Sequence, residues 1–232
     1  MSHDKSLVVT IDGPSGVGKS TISRGVAERL GFTYLDTGAM YRAVAFHLQS
    51  KGVDVSDVEA VTGELESISI ALHPAGESGD VEVTLNGLAV GDQIRTPEIS
   101  MLASRVSALP PVRAKLTLMQ QQIGETGRVV AEGRDTGTVV FPDAAYKFYL
   151  DATPEERSSR RARQLRDRGE TVDEKALLEM TVTRDKNDSE REIAPLKKAD
   201  DAVYIDTTGV SAERVLEHLL SAIADKTTKT PS

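Results

Sequence analysis

Cysteine is absent from the 232-residue chain, which excludes disulfides and thiolate metal sites and fits a reducing compartment. Histidine is scarce. The four histidines, His3, His47, His73 and His218, lack ligand spacing and are assigned no metal. No apolar stretch approaches the length of a membrane span or a signal core, and Met1 to Ser6 is polar. A soluble cytoplasmic protein is the expectation. Basic residues are outnumbered, with 28 Lys and Arg against 36 Asp and Glu and a net charge of −8. No general attraction to nucleic acid or anionic membrane is expected, so any basic site must be local. The length suits one sizeable core, or a core with a small insertion, rather than two equal domains.

What is present is a complete G-x-x-x-x-G-K-[ST] loop, Gly13-Pro14-Ser15-Gly16-Val17-Gly18-Lys19-Ser20, directly after the apolar run Leu7 to Ile11. The glycines let backbone N–H groups converge on phosphate oxygens, Lys19 adds a point charge, and the Ser20 hydroxyl can ligate Mg²⁺. Thr21 to Leu30 reads as helix, so the bound anion meets a helix N-terminus whose orphan donors and dipole favour negative charge. The cofactor class is a nucleoside triphosphate. The loop does not identify the acceptor.

Buried strands are expected at Leu7 to Ile11, Arg128 to Ala131, Lys147 to Leu150 and Ala202 to Ile205, alternating with helices at 19–30, 39–51, 97–107, 111–124, 154–168, 173–188 and 211–225. That alternation argues an α/β fold, a parallel sheet with helices on both faces. One segment breaks it. Ile68 to Leu72, Val81 to Leu85 and Leu88 to Val90 are β-prone, and Asn86-Gly87 is a strong two-residue hairpin signal. Residues 65–95 read as a small antiparallel insertion or as a plain surface hairpin. The tail Lys226 to Ser232 is polar and is expected to fray.

Four places could carry the acceptor. Thr37 could cap a helix starting near Ala39, with Arg42 one turn inside; the pair is either an ordinary capped helix or a second anion site. Arg134 and Asp135 follow an apolar strand and Gly133, either as a strand-end ion pair or as cleft residues beside the phosphate loop. Six arginines, Arg157, Arg160, Arg161, Arg163, Arg166 and Arg168, crowd a helix that ends at Gly169. They form a solvated face or a basic lid that closes over a migrating phosphoryl group. Arg184, Asp188 and Arg191 fall at i, i+4 and i+7; surface pairing of the first two leaves Arg191 without a reason.

From about residue 6 to residue 225 the chain resembles the bacterial cytidylate kinases. The carrying residues are TIDGPSGVGKST, LDTGAMYR, GDQIRTPEIS, EGRDTGTVVFPDA, FYLDA, the arginine-rich lid and RDKNDSER followed by APL. The resemblance implies a nucleoside monophosphate kinase core, residues 1–64 and 96–232, with a lid at about 155–170 and a three-stranded monophosphate-binding insertion at 65–95. It implies ATP as co-substrate on Gly13 to Thr21, Mg²⁺ on Ser20, and CMP or dCMP as acceptor, in a monomer without nucleic-acid or membrane partners. Lys19, Arg157 and Arg161 are implied catalytic groups. The acceptor phosphate is expected near Arg42, Arg134 and Arg191, the pentose near Thr37, Arg184 and Asp188, and the pyrimidine near Ser104, Arg113 and Asp135. A carboxylate at Asp135 suits the cytosine amino group and repels the uracil carbonyl, so UMP should be a weak substrate.

A shikimate- or gluconate-type kinase would share the loop and a lid, but would not explain Asp135 or the insertion. Asp206-Thr207-Thr208-Gly209 fits a GTPase-like D-x-x-G, yet no N-K-x-D follows, and the switch reading ranks below both. Asp151, closing Phe148-Tyr149-Leu150, is expected to be structural rather than a second metal ligand.

Overall fold

The computed structural model describes residues 7–75, 80–125 and 127–228. Five strands, β1 (Val8–Asp12), β2 (Thr33–Asp36), β6 (Val129–Gly133), β7 (Tyr146–Asp151) and β8 (Val203–Asp206), form one parallel sheet in the order β2-β6-β1-β7-β8. Central β1 and β6 are buried throughout, which is why they read as continuous apolar runs rather than alternating ones. Side chains on successive residues still leave opposite faces. Val9 and Ile11 pack with α1 (Lys19–Leu30) and α8 (Ala212–Thr228) through Val26, Val215 and Leu219. Val129 and Ala131 face α2 (Thr37–Ser50), α4 (Pro97–Val106) and α5 (Pro110–Gly124). In that layer Leu48 and Leu116 are wholly buried, and each contributes about 1.5–3 kcal/mol by leaving water.

Helix starts follow local chemistry. Thr96 Oγ1 accepts from the Ile99 amide at 3.2 Å ahead of Pro97 in α4, and Thr153 caps α6 (Pro154–Asp167) in the same way through the Glu156 amide. The cap of α2 is Asp36, whose Oδ1 accepts from the Ala39 amide at 2.8 Å, not Thr37, which is already helical. α1 has no side-chain cap; Gly18, at φ 97°, leaves its N-terminus open. Helix α7 (Glu174–Glu190) follows Gly169, whose φ of 81° suits glycine.

The segment that broke the alternation forms a separate antiparallel sheet, β3 (Ile70–Ala75), β4 (Asp80–Leu85) and β5 (Leu88–Ala89). Asn86 and Gly87, at φ 51° and 79°, make its tight turn. Ile70, Val83 and Leu85 join the core beneath α2. Strand β2 and helix α3 (Val58–Glu66), the latter capped by Asp57 on the Ala60 amide, go beyond the sequence-based expectation. Helix α8 runs through Thr228, past the expected end at 225; residues 229–232 and Met1 to Ser6 lie outside the described residues. The D-x-x-G residues form a turn after β8, with Asp206 Oδ1 accepting from the Thr208 amide at 2.8 Å. Among the described residues no helix is long and apolar enough to cross a membrane.

Candidate active site

The sheet presents acids at its carboxyl end. β1, β2, β7 and β8 close on Asp12, Asp36, Asp151 and Asp206, and β6 on Glu132-Gly133. Arginines from α2, α6 and α7 face this rim across a cleft of about 900 Å³. That is where a doubly wound sheet holds ligands.

The glycine-rich loop lies at the tip of β1. Gly13 has φ 149°, and a Cβ there would stand 2.1 Å from the Leu150 carbonyl oxygen, so only glycine fits against β7. Gly13 and Pro14 form the base of the loop, and Ser15 through Thr21 line the cleft. Lys19 Nζ donates to the carbonyls of Gly13 at 2.8 Å and Pro14 at 2.6 Å. Burial, with Arg134 nearby, holds its ammonium well below the usual lysine range, while Glu132 works in the opposite direction. Ser20 Oγ donates to Glu132 Oε1 at 2.7 Å, and the Tyr34 hydroxyl donates to the same oxygen at 2.6 Å. Glu132 Oε2 is buried with no hydrogen-bond partner among the described residues. Burial and the charge of Asp36 push the Glu132 carboxyl up.

Across the cleft the cations are under-neutralised. Arg42 Nη2 donates to Asp36 Oδ2 at 3.1 Å, and Arg184 Nη1 donates to Ser15 Oγ at 2.9 Å. The Nε of each is buried without a partner among the described residues. Burial first, then Arg134, pushes Arg184 down to about 10, with Arg42 adding to the repulsion. Buried donors and crowded like charges are both unfavourable without a counter-anion.

Beside this cluster, Asp188 accepts from Ser104 Oγ at 2.6 Å and from Arg134 Nε at 2.9 Å. Burial would raise the Asp188 carboxyl, but Arg134 and Arg184 outweigh it and hold it below the usual range. Asp135 is gripped from two sides, by Arg113 Nη2 on Oδ2 and by Arg191 Nη2 on Oδ1 at 3.3 Å. Despite both arginines, burial leaves its carboxyl raised. Arg113 also donates to the Ser107 carbonyl at 3.0 Å and lies 5.6 Å over the Tyr41 ring. It does not line the cleft, and reaches it through Asp135, Ser107 and Tyr41, which do.

The strand-end and surface pairings are therefore not formed. Arg134 and Asp135 each pair elsewhere, and Asp188 takes Arg134 rather than Arg184 as its hydrogen-bonded partner. Arg191 is not on the helix face with them, because it is the extended residue after α7. Thr37 lines the cleft, but its hydroxyl donates to the Glu132 carbonyl at 2.6 Å. In helix α6, Arg157 is buried and committed to protein partners, whereas Arg161 is half-buried and, among the described residues, makes only long contacts to Gln164 and the Arg95 carbonyl, at 3.4 and 3.3 Å. Asp151 holds the Ala152 amide at 2.9 Å and the Tyr204 hydroxyl at 3.2 Å. Sequence reasoning missed Asp36 and Glu132, which line the cleft, and Asp185 on α7. The signal for the first two was an acid at the carboxyl end of a parallel strand.

The parallel sheet, the phosphate loop and the opposed arginines together define a P-loop kinase. The family model described as Cytidylate kinase matches residues 9–225, and the chain belongs to the cytidylate kinase family. A cytidylate kinase of Oleidesulfovibrio alaskensis is 47% identical over 94% of this chain and 98% of its own length. A bifunctional pantoate ligase/cytidylate kinase of Synechococcus sp. (strain WH7803) is 52% identical over 93% of this chain, which spans 44% of that relative. An uncharacterized protein of Eubacterium ventriosum shares the fold, with a TM-score of 0.53 at 12% identity over 95% of this chain and 99% of its own.

Proposed function

We infer that the chain transfers the γ-phosphoryl group of ATP to CMP or dCMP, giving ADP and CDP or dCDP in pyrimidine nucleotide metabolism. The transfer is direct and in line, without a covalent enzyme intermediate. The observation that carries this reading is the crowding of Arg42, Arg134 and Arg184 beside the phosphate loop, with two buried Nε donors unpartnered among the described residues. Such a cluster matches an acceptor that brings its own phosphate, as a nucleoside monophosphate does and shikimate or gluconate does not.

Lys19 and the loop amides hold the donor phosphates. Arg42 and Arg134 hold the acceptor phosphate, and Arg184, anchored on Ser15 of the donor loop, stands where it can neutralise the group in transit. Arg161 joins it from the lid. Catalysis is positioning and charge neutralisation rather than covalent chemistry. Ser104 and Asp188 lie toward the pentose. Asp135, Arg113 and Arg191 form the base-reading end, a different distribution from the one the resemblance implies for Arg184, Arg191 and Ser104. The β3–β5 sheet at 65–95 is read as the monophosphate-binding insertion.

The donor set beside the loop fits Mg²⁺: Ser20 supplies a hydroxyl next to the unpartnered oxygen of Glu132. Ser20 would be the direct ligand, with Glu132 and Asp36 accepting from the ion's waters. When bound, the ion neutralises charge on the donor phosphates.

The test is ADP formation from Mg·ATP with CMP, dCMP, UMP, AMP, GMP and shikimate offered separately. CMP and dCMP should lead with UMP well behind. If no monophosphate raises ADP release above the acceptor-free control, the reading is wrong.

A further inference from the structure

Helix α7 is an unusual helix for a folded core. Of its 17 residues only Asp188 is buried, so it is held by polar contacts rather than by an apolar stripe. Two successive residues lead to one residue of the donor loop, Arg184 directly and Asp185 through Arg157. Arg184 Nη1 reaches Ser15 Oγ at 2.9 Å. Asp185 accepts from both terminal nitrogens of Arg157, with Oδ1 3.0 Å from Nη1, and the same Nη1 donates to the Ser15 carbonyl at 2.9 Å. Arg157 Nε is fixed in turn on the Ala152 carbonyl at 2.9 Å, at the joint between β7 and α6.

We propose that Asp185 is a positioning residue for the donor site, acting through Arg157 to fix the Ser15–Gly16 peptide of the phosphate loop. A trans peptide is planar, with its C=O and N–H pointing in opposite directions. Drawing the Ser15 carbonyl onto Arg157 therefore turns the Gly16 N–H away from α6, toward the cleft where phosphate oxygens need donors. The loop has little other freedom there: a Cβ on Gly16 would lie 3.2 Å from both Cβ and the carbonyl oxygen of Arg157. With one face of the loop against α6 and its carbonyl pinned, the anion nest is formed before ATP arrives. Asp185 supplies the charge and the two oxygens that hold the Arg157 fork in plane. Arg157 works through the loop, with three of its five N–H groups committed through Nε and Nη1 and a fourth on Asp185.

The inference rests on the kinase reading above, and the experiment separates the two. Steady-state kinetics with Mg·ATP and CMP are compared for the unaltered chain, Asp185→Asn and Asp185→Glu, together with calorimetric binding of a non-hydrolysable ATP analogue without acceptor. Asp185→Asn should weaken analogue binding and raise KM for ATP about 10-fold, the size of one lost charge-assisted hydrogen bond. KM for CMP should stay within about twofold, because no acceptor-side contact is lost. Asp185→Glu should recover part of the ATP affinity. A fall in kcat with ATP affinity unchanged would instead make Arg157 a group that touches the transferring phosphoryl, and unchanged kinetics would leave the pair structural only; either result overturns the proposal. If the unaltered chain does not turn over CMP, the kinase reading fails, and analogue binding still decides the role of Asp185.

Discussion

Arg191 Nη2 stands 3.3 Å from Asp135 Oδ1, while Arg113 holds the other oxygen of the same carboxylate. Both oxygens are thus held in place, by one arginine from α5 and one from beyond the end of α7. Burial raises the pKa of this carboxyl, and the guanidiniums on either side of it oppose that rise. An acceptor fixed in this way favours a ligand that presents an amino group over one that presents a carbonyl.

Lys19→Ala should depress turnover with every acceptor alike, by on the order of 10² or more in kcat, as for loss of one preorganised donor to developing charge. Initial rates with CMP and with UMP check this. An unaffected rate would remove Lys19 from the mechanism.

Arg184→Ala should lower kcat more than Arg161→Ala does. Arg184 is anchored on Ser15 with its Nε unpartnered, whereas Arg161 is half-buried and makes only long contacts, both among the described residues. If Arg184 acts as a cis finger the loss is on the order of 10³. Single-turnover rates at saturating ATP and CMP separate this from weakened binding. A larger loss on removing Arg161 would return the role to the lid.

Asp12 provides a pH test. Its Oδ1 accepts from the Thr136 amide and hydroxyl at 2.9 and 2.8 Å, and its Oδ2 from the Gly137 amide at 2.8 Å. Burial still wins, pushing the carboxyl up to about 6. The native state therefore holds this proton more tightly than the unfolded chain does. Relative to a variant that cannot titrate there, stability rises as pH falls from about 6 toward the unfolded value near 4, by up to about 3 kcal/mol for a shift of roughly two units. Urea unfolding of the unaltered chain and Asp12→Asn at pH 6.5 and 4.5 should show the stability difference, unaltered chain minus variant, growing on acidification. A shrinking difference would mean that the three donors outweigh burial.

Gly13→Ala should weaken ATP binding and lower the unfolding midpoint together, because the added Cβ meets the Leu150 carbonyl oxygen rather than a movable side chain. Calorimetry with an ATP analogue and a thermal melt read the two effects. Normal behaviour in both would show that the β1–β7 contact at the loop base is not as close as described.

Much of this architecture was legible in the chain. The start of α1 follows from Lys19 after the loop, and the hairpin follows from Asn86-Gly87. Helix α3 escaped because it is nine residues long, with Thr62 and Gly63 in its middle, and owes its start to one aspartate. β2 escaped because in Thr33-Tyr34-Leu35-Asp36 only Leu35 is buried, so no run or alternation stands out. Within the site, residue types were readable and partners were not. Asp188 lies one turn from Arg184, yet it finds Arg134, just past the end of β6, and Ser104 from α4. Arg191 continues the helical spacing in sequence, but the backbone extends at that residue and carries it to Asp135. Such long-range choices are set by how α7 lies against α6 and α4, and local pattern does not encode them.

The measurement that tests the account most directly is competition between CMP and UMP for the unaltered chain and for Asp135→Ala, read as the ratio of the two kcat/KM values. A lost buried polar match amounts to about 1–3 kcal/mol, so the preference for CMP should fall by roughly 5- to 150-fold in the variant, chiefly through loss of CMP use. Equal losses for both nucleotides, with the preference intact, would contradict the assignment of Asp135 to the base.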